Sequence, residues 1–248
     1  MDTLRKHEIA EAEHRILNPF TDEKLMLLGA VCRLTPGARQ LDLACGKGEM
    51  LCRWAQTYGT AGHGVDISTV FLTAARARAV ELGVADRVSF EHADAATAVP
   101  SDASFDVVSC IGATWIGAGL VGTIALMRQA VRADGLLLVG EPYWTEPPPE
   151  AARETLGLPG DDFVSLEGTL DRIEGAGAEL VEMVLADGDS WDRYEASQWW
   201  TVERWLREHP DHPDAGELRE YLDDSRRSHL RYQRRYLGWG VFVLRLDD

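Results

Sequence analysis

The chain has 248 residues, 45% of them hydrophobic and 27% charged, which suits one α/β domain with room for an added cap. The net charge of −16 argues against a nucleic-acid partner, because phosphate backbones require clustered lysines and arginines. No apolar run is long enough to cross a bilayer and residues 1–13 lack the apolar core of a secretory signal, so we expect a cytoplasmic protein without a membrane partner. The sequence indicates no particular oligomeric state.

The first predicted elements are helical. Residues 5–17 read as one helix, which a proline-containing break ends. A second helix begins at Thr21 or Asp22 and runs to about Leu34. We assign residues 1–38 to an N-terminal helical cap.

Strands and helices then alternate, which predicts βαβ units and a parallel sheet. The predicted strands are residues 39–44, 61–66, 87–91, 105–111, 135–141, 179–185 and 239–245. The predicted helices between them are residues 48–57, 69–82, 121–132 and 165–175. We therefore expect a Rossmann-like α/β fold with helices on both faces of the sheet, in which residues 39–185 and 238–248 form the ligand-binding domain.

A long insert separates the last two predicted strands. Apolar residues in its first half recur at spacings of three and four, so one helical face is apolar. A second helix follows from about Asp214 to Tyr236. We assign residues 186–237 to an inserted helical lid over the strand ends; the alternative is that its aromatic side chains only form a core within the insert.

The segment around the first predicted strand carries the strongest functional signal. Apolar residues lead into Asp42, a loop of small residues and a helix start, which is the order expected where a parallel strand meets a nucleotide-sized ligand. A dinucleotide fingerprint needs glycines at relative positions 1, 3 and 6, where this chain has Ala44, Gly46 and Glu49. A carboxylate at Glu49 would repel a pyrophosphate. We therefore expect an adenosine-like ligand without phosphates.

Carboxylates also end the next two strands. Asp66 is placed to accept hydrogen bonds from both ribose hydroxyls, or alternatively only to cap the following helix. Asp94 could accept from an adenine amino group, or alternatively form a turn. The four cysteines show no CxxC spacing and predict reduced thiols, and no metal site is expected.

These motifs resemble those of the class I S-adenosylmethionine-dependent methyltransferases, and the similarity extends over about residues 15–248. The cofactor motifs are DLACGKG (42–48), GVDIS (64–68), HADA (92–95), FDVVSCIGATW (105–115) and VRADGLLLVGEPYW (131–144). Segments outside them, such as EMVLADGDSWDRYEA (182–196), are similar to the YjhP-type bacterial branch. Many family members have glycine where this chain has Ala44, and alanine would be strained there if the backbone needs a positive φ.

The resemblance implies S-adenosylmethionine as the cofactor and transfer of its methyl group to a small-molecule acceptor by in-line displacement. The residues that it implies for cofactor binding are Asp42, Ala44, Cys45, Gly46, Asp66, Ile67, Asp94, Ala95, Cys110 and Gly112. Two other functions stay open at this point: a sensor that binds the cofactor without transferring a methyl group, and an enzyme that uses the cofactor for other chemistry.

Aromatic residues at strand ends and in the insert predict an acceptor pocket, which the insert would form together with the N-terminal helix. The aromatic residues are Trp115, Tyr143, Trp144, Trp191 and Tyr194. A neutral acceptor that carries a proton also needs a base. Glu141, at the end of the fifth strand, and His14 are the candidates, although each could instead have a structural role.

Overall fold

The computed structural model describes residues 1–158 and 162–247. Its sheet contains β1 (Arg39–Leu43), β2 (Ala61–Asp66), β3 (Val88–His92), β4 (Phe105–Ile111), β5 (Val131–Trp144), β6 (Ala178–Leu185) and β7 (Leu237–Leu246). The strand order is β3-β2-β1-β4-β5-β7-β6, and β7 runs antiparallel to both of its neighbours. This mixed seven-stranded sheet confirms the predicted Rossmann-like fold.

Helices cover both faces of the sheet and one end of it. They are α1 (Thr3–Ala10), α2 (Asp22–Val31), α3 (Glu49–Tyr58), α4 (Thr69–Glu81), α5 (Leu120–Met127), α6 (Glu150–Leu156), α7 (Leu166–Gly175), α8 (Gly188–Glu208), α9 (Ala215–Ser228) and α10 (Arg234–Tyr236). A π-helical turn, His229–Gln233, joins α9 to α10. Among residues 1–158 and 162–247, no helix combines the length and the apolarity that a bilayer crossing requires.

The core lies on both faces of the central strands because their side chains alternate between the two faces. On β5, Leu137 packs in a cluster with Ile124 of α5 and Ile173 of α7. The next residue, Leu138, packs in the opposite cluster with Leu28 of α2 and Trp54 of α3. A strand that is buried on both faces explains the unbroken apolar run in this part of the sequence.

A third cluster holds the cap together. Ile9 of α1 packs with Val202 of α8 and with Leu218 and Leu222 of α9. The N-terminal helix and the insert therefore share one small core, whereas α2 packs against the sheet side of the molecule. The division of the chain into three parts at the predicted boundaries stays a prediction.

The predicted helix over residues 5–17 is wrong in its length. α1 ends at Ala10, and the chain continues through turns and bends to residue 19. Three main-chain oxygens just beyond the helix accept hydrogen bonds from the ammonium group of Lys47. In a continuous helix these carbonyl groups would accept hydrogen bonds from main-chain N–H groups further along. Here a cation that is distant in sequence donates to them instead.

Two further differences concern β5 and its surroundings. The helix predicted over residues 121–132 ends at Met127, and β5 begins at Val131, because Phe105 pairs with Val131 before a register shift in the ladder. Helix α6 was not predicted at all, since it directly follows a proline run that reads as an extended segment.

Candidate active site

A cavity of about 730 Å³ opens at the carboxyl ends of the central strands, within the size range of small-molecule sites. The predicted residues that line it are Asp42, Ala44, Cys45, Gly46, Asp66, Ile67, Asp94, Ala95, Gly112, Trp115, Glu141, Trp191 and Tyr194. The structure thus brings most of the predicted cofactor residues together with one predicted base and three of the predicted aromatic residues.

Asp66 fixes the loop after β1 to the start of α4. Its Oδ2 accepts a hydrogen bond from the Gly46 N–H at 2.7 Å, and its Oδ1 accepts one from the Ser68 N–H at 2.8 Å. Burial raises the pKa of Asp66, and these N–H donors act in the opposite direction. A carboxylate has about four acceptor positions, so lone pairs remain for a ligand after these two bonds.

The loop backbone is left-handed at three positions. The φ angles are 59° at Ala44, 54° at Gly46 and 63° at Gly48. Gly48 also has no space for a side chain, because a Cβ there would lie 2.5 Å from the Phe90 ring. Ala44 is the non-glycine residue in this set, and its Cβ makes the left-handed conformation unfavourable by about 1–2 kcal/mol. The backbone at position 44 thus has the positive φ at which alanine, unlike glycine, is strained.

Asp42 is buried beneath the same loop. The Ser109 hydroxyl donates a hydrogen bond to its Oδ1 at 2.7 Å. Burial raises the pKa of Asp42 to about 7, although the Ser109 hydrogen bond opposes the shift. Burial likewise raises the pKa of the neighbouring Cys45 thiol, so this cysteine stays neutral beside the carboxyl groups.

Asp94 and Ile67 lie at the open edge of the cavity. The Asp94 side chain is exposed, and its Oδ1 accepts a hydrogen bond from the Ala96 N–H at 2.9 Å. This is the turn that the alternative interpretation of Asp94 predicted, and it leaves the second carboxylate oxygen for a ligand. Ile67 lines this edge and is 57% exposed.

Glu141 is the buried carboxyl group at the β5 side of the cavity. It is 2% exposed, and burial raises its pKa to about 7, with a hydrogen bond to Thr114 opposing the shift. A carboxyl group with this pKa can gain or lose a proton near neutral pH. Trp191 and Tyr194 of α8 line the same cavity, and Trp115, 73% exposed, lies at its opening.

Four predicted residues do not line this cavity. Cys110 is fully buried in the sheet core. The Tyr143 ring packs over Gly238 of β7, where a Cβ would lie 2.2 Å from the ring. Trp144 is buried under the guanidinium group of Arg153, which lies 5.4 Å from the indole ring centroid.

His14, the fourth, lies in a second pocket on the α8 side. Its Nδ1 is 2.8 Å from Glu11 Oε2, and its Nε2 is 2.5 Å from the Ser197 hydroxyl. Both ring nitrogens thus already have polar neighbours, and His14 does not line the larger cavity.

The N-terminal helix was expected to help form the acceptor pocket, but sequence reasoning did not name the residues of this part of the chain that line the cavity. The lining residues from this part are Leu4, His7, Arg15, Ile16, Leu17, Asn18, Pro19 and Phe20. Sequence reasoning also missed Lys47, whose Nζ donates to the main-chain oxygens of residues 11, 12 and 14. The available signal was a single lysine inside a loop of small residues, in a chain with only three lysines, Lys6, Lys24 and Lys47.

Comparisons with known proteins identify the family. Residues 41–135 match the model of the family described as "Methyltransferase domain". The uncharacterised protein YjhP of Escherichia coli (strain K12) is 46% identical over 246 residues, covering 98% of this chain and 99% of that protein. This chain belongs to the YjhP-type class I S-adenosylmethionine-dependent methyltransferases. The family predicted from the motifs is thereby confirmed.

Solved structures of similar methyltransferases identify the cofactor. The S-adenosylmethionine-dependent methyltransferase from Geobacter sulfurreducens, in complex with S-adenosyl-L-homocysteine, is 49% identical, with a TM-score of 0.94 and 98% of each chain covered. The corresponding complex from Thiobacillus denitrificans is 47% identical, with a TM-score of 0.94 and coverage of 99% of this chain and 100% of that chain. The protein is therefore a methyltransferase that uses S-adenosylmethionine, as the sequence predicted.

Proposed function

We propose that this methyltransferase transfers the methyl group to a small-molecule acceptor bound next to Glu141. The observation that supports this most is the continuity of one cavity, which joins the carboxylates at the tips of β1 and β2 to Glu141 and to the aromatic side chains of α8. Such a cavity suits a free small molecule better than nucleic acid, which the net charge of −16 would repel. Membership of the methyltransferase family does not favour the sensor or the enzyme with other chemistry.

Asp66 is the proposed anchor of the cofactor. Its carboxylate is held by the Gly46 and Ser68 N–H groups, so its remaining lone pairs point in fixed directions and can accept from the ribose hydroxyls. The other proposed cofactor contacts are Asp42, Ala44, Cys45 and Gly46 at the methionine part, Ile67, Asp94 and Ala95 at the adenine, and Cys110 and Gly112 at the sulfur. The Cys110 side chain itself lies in the core and does not line the cavity.

Glu141 is the proposed base. The bound cofactor supplies a methyl group on a positively charged sulfur, which is already a good leaving group. The residues of the cavity therefore have to align the acceptor, exclude water and remove its proton. Glu141 in its carboxylate form can take that proton, while Trp191 and Tyr194 form an aromatic wall for the acceptor. His14 lies outside the cavity and close to the Glu11 carboxylate. This favours Glu141 over His14 as the base.

Methyl transfer can be tested with labelled S-adenosylmethionine and a panel of amines, phenols, azoles and carboxylic acids. We expect at least one compound to gain one methyl group by mass.

Glu141→Gln should then lower kcat about 100-fold or more while leaving cofactor affinity within about twofold, because the amide cannot take a proton. The ionisable side chain should make wild-type kcat/KM rise with pH through about 7, and Glu141→Gln should lose that rise.

Glu182→Gln is the matched control, since Glu182 is exposed on β6 and lies outside the cavity. It should behave as the wild type. Wild-type turnover and an unchanged pH profile in Glu141→Gln would rule out Glu141 as the base.

A further inference from the structure

Lys47 is a buried cation for which the proposed chemistry has no use. It lies in the loop after β1 and is 7% exposed. Its Nζ donates to the main-chain oxygens of Glu11 at 2.7 Å, Ala12 at 2.8 Å and His14 at 2.7 Å. An ammonium group has three N–H bonds, so all of its donors are used in these contacts. Lys47 is therefore committed to the protein and has no donor left for a ligand.

The three acceptors begin a stretch that forms one side of the cavity. We call residues 11–20 the wall segment. It contains turns and bends but no regular helix, and its residues 15–20 line the cavity. A segment that belongs to no helix or strand lacks their regular main-chain hydrogen bonds. Contacts with side chains therefore contribute most to holding it in place. Lys47 supplies three such bonds from the loop on which the proposed cofactor site is built.

The wall segment is also attached to α8. The fully buried carboxylate of Glu11 accepts hydrogen bonds from the Tyr194 hydroxyl at 2.5 Å and from the Gln198 amide at 2.9 Å. Tyr194 itself lines the cavity. We call residues 44–48, between β1 and α3, the cofactor loop. One short stretch of chain thus connects the cofactor loop, through Lys47, with the helix that carries the proposed acceptor wall.

We propose that Lys47 is a positioning residue that holds the wall segment against the cofactor loop and thereby slows release of the bound cofactor and of its demethylated product. The proposal rests on the proposed placement of the cofactor in this cavity, but it does not depend on the acceptor. The wall segment covers one side of a bound ligand, so the ligand is released faster when that side opens. Removing the ammonium group takes one hydrogen bond from each of three main-chain oxygens, of which Glu11 O keeps only the His14 N–H, and this makes opening more frequent.

Lys47→Met tests this, because it keeps the apolar stem and removes every donor. We expect the dissociation rate of S-adenosyl-L-homocysteine, followed by stopped-flow tryptophan fluorescence, to rise about tenfold or more, with a matching rise in Kd by calorimetry. Amide hydrogen exchange should accelerate in residues 11–20 and stay unchanged in β1, β4 and β5. Lys47→Arg, which keeps the charge in a planar group that cannot reach all three oxygens, should give a smaller rise and serves if the methionine variant does not fold.

Arg128→Met is the control, since Arg128 also donates to main-chain oxygens, those of Ala176 and Gly177, but lies outside the cavity. It should leave the dissociation rate unchanged. A wild-type dissociation rate with wild-type exchange in residues 11–20 would overturn the proposal, and so would exchange that accelerates equally throughout the sheet. Failure of the proposed methyl-transfer chemistry is distinguishable, because it would appear as absence of methylated product while the dissociation rate still responds to Lys47→Met.

Discussion

Backbone strain and buried carboxyl groups occur close together at the tips of β1 and β2. Ala44 holds a φ of 59°, and Asp42 and Asp66 are carboxyl groups whose pKa values burial raises. Both features lower the stability of the free protein, and such features concentrate at ligand sites, where the surrounding structure holds them in place. In the cofactor loop the Asp66 bond to the Gly46 N–H is one of the interactions that hold the strained backbone.

The strain at Ala44 can be measured directly. Ala44→Gly should raise the free energy of unfolding in urea by about 0.5–1 kcal/mol, because removing the Cβ relieves the left-handed conformation by more than the added freedom of the unfolded chain costs. Ala77→Gly, at an exposed position in α4, should instead lower it by about 1 kcal/mol. Equal losses in the two variants would show that Ala44 is not strained.

Among the secondary-structure elements, α8 has two roles along its length. Near its start, Trp191 and Tyr194 line the cavity. Further along, Trp199 and Trp205 pack against the cluster that α8 forms with α1 and α9. The later part of α8 thus packs in a core as the alternative interpretation expects, whereas a lid formed by its first turns stays a prediction. The start of α8 has to be fixed if its first turns are to shape the cavity.

Asp187 fixes that start. It caps α8 by accepting the Ser190 N–H at 2.8 Å, while its own N–H donates to the Ser190 hydroxyl at 3.1 Å. The Ser190 N–H and Lys24 hold the pKa of Asp187 down to about 2. This contribution to stability is therefore present above the ordinary pKa of an aspartate and is lost as the pH falls towards 2.

Asp187→Ala should lower the free energy of unfolding by about 1 kcal/mol at neutral pH and speed amide exchange in the first turn of α8. The comparison is Asp189→Ala, which removes a carboxylate from the same turn but makes no cap, and which should have an effect of only a few tenths of a kcal/mol. If both variants lost the same stability, the cap would not be what holds the start of the helix.

At the scale of the whole molecule, the sheet could be predicted because each strand carries its own local signal. Apolar runs bounded by glycines, with helices of regular length between them, identify the strands whatever lies elsewhere in the chain. The end of α1 could not be predicted, because Lys47, which is far away in sequence, satisfies the carbonyl groups there. For the same reason the N-terminal wall of the cavity has no sequence pattern of its own.

The site likewise contains residues that could be predicted from the sequence and residues that could not. Asp42, Gly46 and Asp66 could be predicted, because parallel strands deliver their carboxyl ends to one edge of the sheet. Tyr143 and Trp144 also follow a strand end, but their rings lie over Gly238 and under Arg153 of α6. One of these neighbours comes from a strand late in the chain and the other from a helix that the sequence did not predict.

We propose that the cavity at the tips of β1, β2 and β4 holds the cofactor with its ribose on Asp66 and leaves the space next to Glu141 for an acceptor. A crystal structure of this chain with S-adenosyl-L-homocysteine tests it most directly. We predict both ribose hydroxyls within hydrogen-bonding distance of Asp66, the sulfur beside Gly112 and open space between the sulfur and Glu141. A ribose held by another residue, or an amino-acid part that fills the space next to Glu141, would contradict this placement.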